Sequence, residues 1–127
     1  MKRWNRVAAV AATLWLTACA TGGSNLPPPK SDAGSPAVES YLIDVAAHLG
    51  LRTYGRPIVH APGDGKAENQ GFDAFIPLID SGISLYVWTQ KRFFAAVLFT
   101  CKRFDVNEAL RFTRSFFATT ELEHRPF

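Results

Sequence analysis

Hydrophobic and polar positions alternate most clearly from Ile83 to Trp88, where Ile83, Leu85 and Val87 interleave with Ser84, Tyr86 and Trp88. A period of two predicts a strand with one face buried. The polar turn Thr89-Gln90-Lys91-Arg92 follows, and then Phe93 to Thr100 is apolar on both faces, the pattern of a strand covered on two sides. Phe72 to Ile79 reads as the preceding strand, with Phe72, Ala74, Ile76 and Leu78 on one face. Pro77 cannot donate to a ladder, so this strand is an edge or is bulged at that point. Asp80-Ser81-Gly82 joins it to the next strand as a hairpin turn, which makes the three strands a meander. Arg56 to His60 is a further short strand, and Pro62 to Gly71 is a polar loop because its three Gly and one Pro rule out regular structure. Gly63 and Gly65 in that loop lack the Gly-Lys-Ser/Thr ending of a phosphate-binding loop.

Two stretches carry the helical period instead. Ser35-Pro36 is an N-cap followed by Pro at the first helical position. Val38, Leu42, Val45, Ala46 and Leu49 then form a stripe that Gly50 stops. Asp105 and Glu108 are spaced as a capping box ahead of the stripe Val106, Ala109, Leu110, Thr113 and Phe117, with Phe112 and Phe116 flanking it. The polar tail Glu121-Leu122-Glu123-His124-Arg125 is expected to pair briefly with an edge strand. This order of elements predicts an α+β two-layer sandwich, an antiparallel sheet of about four strands with helices on one face. Tyr86, Trp88 and half of the Phe93 strand are left on the other face. Such a face normally meets a second sheet, so a homodimer through it is expected.

The first residues follow another logic. Lys2, Arg3 and Arg6 precede the apolar run Val7 to Leu16, which ends in Leu16-Thr17-Ala18-Cys19. A short basic region, about ten apolar residues and small residues before a cleavage point are the pattern of a secretory signal. The run is too short to span a bilayer, which takes roughly 20 apolar residues. Leu-Thr-Ala-Cys resembles the lipobox of bacterial lipoproteins. That resemblance implies cleavage after Ala18 and lipidation of Cys19, because two or three acyl chains hold a protein on a membrane where one does not. Ala20 after the Cys implies sorting to the outer membrane, facing the periplasm, in a Gram-negative cell. Residues 1–18 are thus expected to be a lipoprotein signal peptide. Residues 19–35, with Pro27-Pro28-Pro29 at their centre, are expected to be a tether, and residues 36–127 the folded domain.

Charge changes meaning once the leader is set apart. The leader holds three of the fourteen Lys and Arg, so eleven remain against eleven Asp and Glu, and no basic footprint for nucleic acid survives. With Cys19 lipidated, Cys101 is the one remaining thiol and the domain relies on its apolar core. His48, His60, His124 and one thiol do not form a metal-ligand pattern, and no local motif announces an enzyme. His48, beside the first stripe, reads as a packed or surface residue.

Trp88, then Ala95-Ala96-Val97-Leu98-Phe99-Thr100-Cys101, then Asp105, Ala109 and Glu123-His124-Arg125 resemble the C-terminal half of the bacterial S-adenosylmethionine decarboxylases. In that family a strand ending His-Thr-Trp-Pro-Glu turns into one reading Ala-Ala-Ile-Asp-Leu-Phe-Thr-Cys. The resemblance implies a pyruvoyl cofactor, made when the chain cuts itself at a Glu-Ser bond. The pyruvoyl carbonyl serves as an electron sink that ordinary side chains cannot supply. It also implies that Cys101 stands at the catalytic acid and Tyr86 at a His that assists self-cleavage, with Thr89-Gln90 in place of Pro-Glu. The Ser that becomes the cofactor is expected before the central hairpin, and no Ser occurs between Thr53 and Asp80, so no pyruvoyl group is expected. The family's first strand, ahead of the first helix, is replaced here by the tether.

Two functions remain open on these residues. One is a non-catalytic, membrane-anchored domain that binds a small ligand such as an amine, with Tyr86, Trp88 and Gln90 as the candidate pocket, or a partner protein. The other is a divergent decarboxylase of S-adenosylmethionine or an amino acid in polyamine synthesis, with Cys101 as the candidate catalytic residue. A Cys at the end of an apolar strand is, however, commonly buried for packing alone.

Overall fold

A computed structural model describes residues 8–13, 36–61, 66–79 and 81–126 of the chain. Cys19 and the tether lie outside the described residues. The elements run β1 (Ala8–Thr13), α1 (Pro36–His48), β2 (Ile58–His60), β3 (Gly71–Leu78), β4 (Ser81–Trp88), β5 (Phe93–Phe99), α2 (Val106–Phe117) and β6 (Glu123–Pro126). One antiparallel sheet holds all six strands in the order β2-β3-β4-β5-β1-β6, with both helices on one face. The meander read from the sequence is its middle. Strands β3 and β4 pair from Gly71↔Trp88 to Leu78↔Ser81, and β4 and β5 from Gly82↔Phe99 to Trp88↔Phe93. Ser81 and Gly82, read as turn residues, are therefore already in β4.

Pro77 sits where the missing donor costs nothing. Strand β2 pairs only with Asp73 to Phe75, so the ladder on that side has ended before Pro77, and the Pro77 carbonyl accepts from Tyr54 N–H at 3.4 Å. Gly71 and Gly82 mark close approaches: a Cβ on Gly71 would lie 1.7 Å from the Val87 carbonyl oxygen, and one on Gly82 would meet the Phe75 ring at 2.3 Å. Phe75 thus lies over Gly82, covering backbone that has no side chain of its own.

The helices end as their sequences require. In α1, Gly50 takes φ 65°, and Leu51 N–H reaches back to the Ala46 carbonyl at 2.8 Å, closing a left-handed C-cap. In α2, Asp105 accepts from Asn107 N–H at 2.8 Å and Glu108 N–H at 3.2 Å. Glu108 turns away to His48 and Arg111, so only the Asp half of the capping box forms around the N-cap. Ala118 ends α2 at φ 50°, a conformation that costs an L-residue roughly 1–2 kcal/mol.

Between sheet and helices lies one core. Val38, Tyr41, Leu42, Val45 and Ala46 of α1 meet Phe72, Ala74 and Ile76 of β3, Ile83, Leu85 and Val87 of β4, Phe94, Ala96 and Leu98 of β5, and Ala109 and Phe117 of α2. Tyr41, absent from the predicted stripe, is fully buried because its hydroxyl finds Thr113 Oγ1 at 3.0 Å. Burial pushes its hydroxyl pKa up to about 12, against the smaller lowering effect of that hydrogen bond.

Two observations correct the sequence reading. Strand β5 is covered on its helix side only: Phe93, Ala95 and Val97 stay half-buried and Phe99 is exposed on the other. And a first strand does precede α1, inside the stretch read as the apolar part of the leader. β1 pairs with β5 from Ala8↔Leu98 to Thr13↔Phe93, and with β6 from Ala8↔Pro126 to Ala11↔Glu123. The physical reason for the miss is that a short, uncharged apolar run fits a leader and a strand hydrogen-bonded on both edges equally well.

Candidate functional site

The cavity of interest opens at the end of the sheet where β3 stops and β4 begins. It encloses about 450 Å³ and is lined by Leu51, Arg52, Leu78, Ile79, Ser81, Thr100, Cys101 and Lys102. Three chain segments supply these residues, and the backbone fixes how they meet. Ile79 N–H donates to the Arg52 carbonyl at 3.2 Å, and Thr53 bridges to Leu78, so the segment after α1 is laid along the end of β3. Ser81 Oγ donates to the Ile79 carbonyl at 3.1 Å across the start of β4. Lys102 N–H donates to Thr100 Oγ1 at 3.0 Å, while its ammonium reaches the Gly50 carbonyl at 2.8 Å. That second bond ties the segment after β5 to the cap of α1.

Leu51, Leu78 and Thr100 are buried and form the floor. Arg52, Cys101 and Lys102 are exposed at the rim. Among the described residues the lining presents a guanidinium, an ammonium, a thiol and two hydroxyls; Asp80, between Ile79 and Ser81 in sequence, lies outside the described residues. Among the described residues no group of three His, Cys, Asp or Glu side chains is placed to hold a metal ion.

Cys101, expected to be buried, is exposed. The strand's alternation explains it: Thr100 continues the inward series of Phe94, Ala96 and Leu98 at 3% exposure, so the next residue turns outward into a bend. Tyr86, Trp88 and Gln90, expected to line a pocket, are not at this cavity. Tyr86 and Trp88 project from the sheet face without helices, their rings 6.4 Å apart, and Trp88 packs 5.2 Å from Phe93. Gln90 lies in the β4–β5 turn and donates from Nε2 to Gln70 Oε1 at 3.4 Å. The two groups occupy opposite faces and opposite ends of β4, so they do not form one site.

Ser81 is the residue that reading the sequence passed over. It stands one position past the window in which a Ser was sought, directly behind Asp80, and the structure brings it to the same cavity as Cys101. The acid–Ser pair Asp80-Ser81 was the available signal. Arg52 and Lys102 gave none, since each is a single cation on a separate loop.

His48 is a packed surface residue. Its Nε2 lies 2.9 Å from Glu108 Oε2, and its ring is 5.0 Å from that of Phe112, which latches the end of α1 to the start of α2. Glu108, held by His48 first and Arg111 second, has its carboxyl pKa drawn below the usual range.

An antiparallel sheet backed by two helices, with a thiol-bearing cavity at the sheet's end, defines the class: an α+β two-layer sandwich. The S-adenosylmethionine decarboxylase family model matches residues 33–127, and the chain belongs to that family. The crystal structure of the adenosylmethionine decarboxylase from Aquifex aeolicus VF5 is similar over 96% of this chain and 88% of that one, with a TM-score of 0.61 and 11% identity. At that identity the likeness concerns the fold. No curated protein matches the chain.

The pyruvoyl group of the family can be tested against the residues present. A Ser behind an acid faces the cavity with Cys101, as the group's formation requires. The resemblance sets Tyr86 at the assisting His, and Tyr86 is exposed on the opposite face of the sheet and five residues along β4, about 17 Å at the rise of an antiparallel strand. An acid–Ser bond without its imidazole does not fit the group as the family makes it.

Proposed function

We propose that this chain is an exported lipoprotein, anchored through Cys19, whose decarboxylase-fold domain binds a small carboxylate-bearing ligand without turning it over. The cavity carries the reading: among the described residues that line it, Arg52 and Lys102 supply two positive charges at its rim. The absence of a His near Ser81 supports binding without catalysis. The open sheet face, with Phe75, Tyr86 and Phe99 at 38–40% exposure, supports a homodimer formed face to face. In a Gram-negative cell the domain faces the periplasm from the outer membrane. A ligand at one hundred times its dissociation constant stabilises the domain by about 2.7 kcal/mol. A thermal-shift screen of amino acids, polyamines and nucleosides is expected to raise the melting temperature only with carboxylate-bearing compounds, and Arg52→Ala should abolish the rise. A rise with polyamines alone overturns the cavity as the ligand site.

A second reading is favoured by one observation, that Ser81 and Cys101 line the same cavity: a divergent pyruvoyl decarboxylase that cuts itself between Asp80 and Ser81. The mass of the mature protein separates the two. An intact chain from Cys19 to Phe127 carrying a lipid supports the binding domain, whereas two fragments meeting at 80/81, with a borohydride-reducible carbonyl, establish the enzyme.

A further inference from the structure

We infer that Ala8–Thr13 has two mutually exclusive destinations, strand β1 of the folded sheet or the leader engaged by the export machinery, so that folding before export withholds the signal for anchoring. The inference rests on the lipoprotein reading of residues 1–19 proposed above.

Three observations carry it. First, β1 is an inner strand. All six of its residues face partners on β5 and four face partners on β6, so its backbone is engaged along both edges. A segment held in this way cannot at the same time lie extended in a membrane or a translocation channel. The cleavage point after Ala18 is only five residues beyond Thr13 in sequence.

Second, β1 is the sole link between β6 and the rest of the sheet, because the strand order ends β5-β1-β6. Processing would remove the outer ladder of β5 and the inner ladder of β6 together. The remaining sheet would be β2-β3-β4-β5, with the uncharged strand Phe93–Phe99 as its edge. An open apolar edge of that kind invites pairing with other chains, so it matters to the cell when β1 leaves.

Third, the two comparisons treat the beginning of the chain differently. The family model begins at residue 33, whereas the Aquifex structure is similar over 96% of the chain, a share that residues 33–127 alone cannot supply. Part of the stretch ahead of residue 33 therefore has a counterpart in that structure, although it lies outside the family's sequence pattern.

The test uses the whole chain in two forms. In purified Cys19→Ala protein, which cannot be lipidated, the amides of residues 8–13 should exchange with solvent as slowly as those of Phe93–Phe99. In cells, pulse-labelled Leu42→Ala, which weakens the core without touching the leader, should be converted to the lipidated form faster than the wild type. Free-peptide exchange at residues 8–13 overturns the inference, as do equal conversion rates of the two chains; in both cases lipid at Cys19 of the wild type leaves the anchor reading standing. If neither chain loses its leader or gains lipid, the anchor reading falls and takes the inference with it.

Discussion

The two faces of the sheet are built from the same three strands and have opposite fates. On the helix side, alternate residues of β3, β4 and β5 other than Ser81 are at most 5% exposed, and Phe94 packs on Phe117 of α2 with ring centroids 4.2 Å apart. On the other side the intervening positions include Phe75, Tyr86 and Phe99, each more than a third exposed. Aromatic residues occur on both faces, although the open one also carries Asp73, Ser84 and two Gly. What separates them is whether a second layer of the same chain arrives, and α1 and α2 reach only one. The closed face holds the fold together, and the open face is where the homodimer proposed above would form.

Mutations should break that contrast in order of size. Phe117→Ala removes a ring packed against Phe94, Tyr41 and Phe116 and is expected to cost about 3–5 kcal/mol in urea unfolding. A cost below 1 kcal/mol would mean the core is not closed by α2. Tyr86→Lys on the open face should change unfolding of the monomer by no more than about 0.5 kcal/mol. The same change should turn a dimer into a monomer in analytical ultracentrifugation, and a wild type that is already monomeric removes the face-to-face dimer.

Tyr41→Phe probes the one polar group sealed into the closed face. Thr113 Oγ1 still donates to the Ala109 carbonyl at 2.7 Å, so the loss is about 0.5–1.5 kcal/mol. Its pH dependence is the sharper signature. The folded-state pKa of Tyr41 lies above the unfolded value of 10, at about 12, so its stabilising effect is complete below pH 10 and is lost as the pH rises toward 12. The urea midpoint of the wild type should fall across that window more steeply than that of Tyr41→Phe.

The smallest effect belongs to the surface latch between the helices. Glu108 has a lowered pKa, so its contribution is present above the ordinary carboxylate pKa and is lost as the pH falls through the folded value. Glu108→Gln should flatten the acid limb of stability against pH while leaving neutral-pH stability nearly unchanged, because both partners are solvent-exposed. An unaltered acid limb would show that His48 and Glu108 do not interact in solution.

The legible parts of the chain share a short range. The β3–β4–β5 meander follows from period-two alternation and turn residues, and both helix ends follow from Gly50 and Asp105, because each depends on neighbours within a few residues. The site was less legible. Cys101 was a candidate from the sequence, Ser81 lies one position beyond the stretch read for a Ser, and Arg52 and Lys102 meet them only because three segments converge at one end of the sheet. Tyr86 and Trp88 lie on the open face and away from this cavity, since alternation fixes which face a residue takes and says nothing of where that face is concave.

The sequence by itself determined the order and kind of the central elements, the family likeness and the pattern of the leader, all of which are written in local periodicity and residue type. Only the tertiary structure decided that Ser81 and Cys101 share a cavity, that Tyr41 is buried with a partner at Thr113, and that Ala8–Thr13 lies between β5 and β6. Each of these depends on which distant segment arrives beside it, and that is set by packing of the whole chain rather than by its neighbours in sequence.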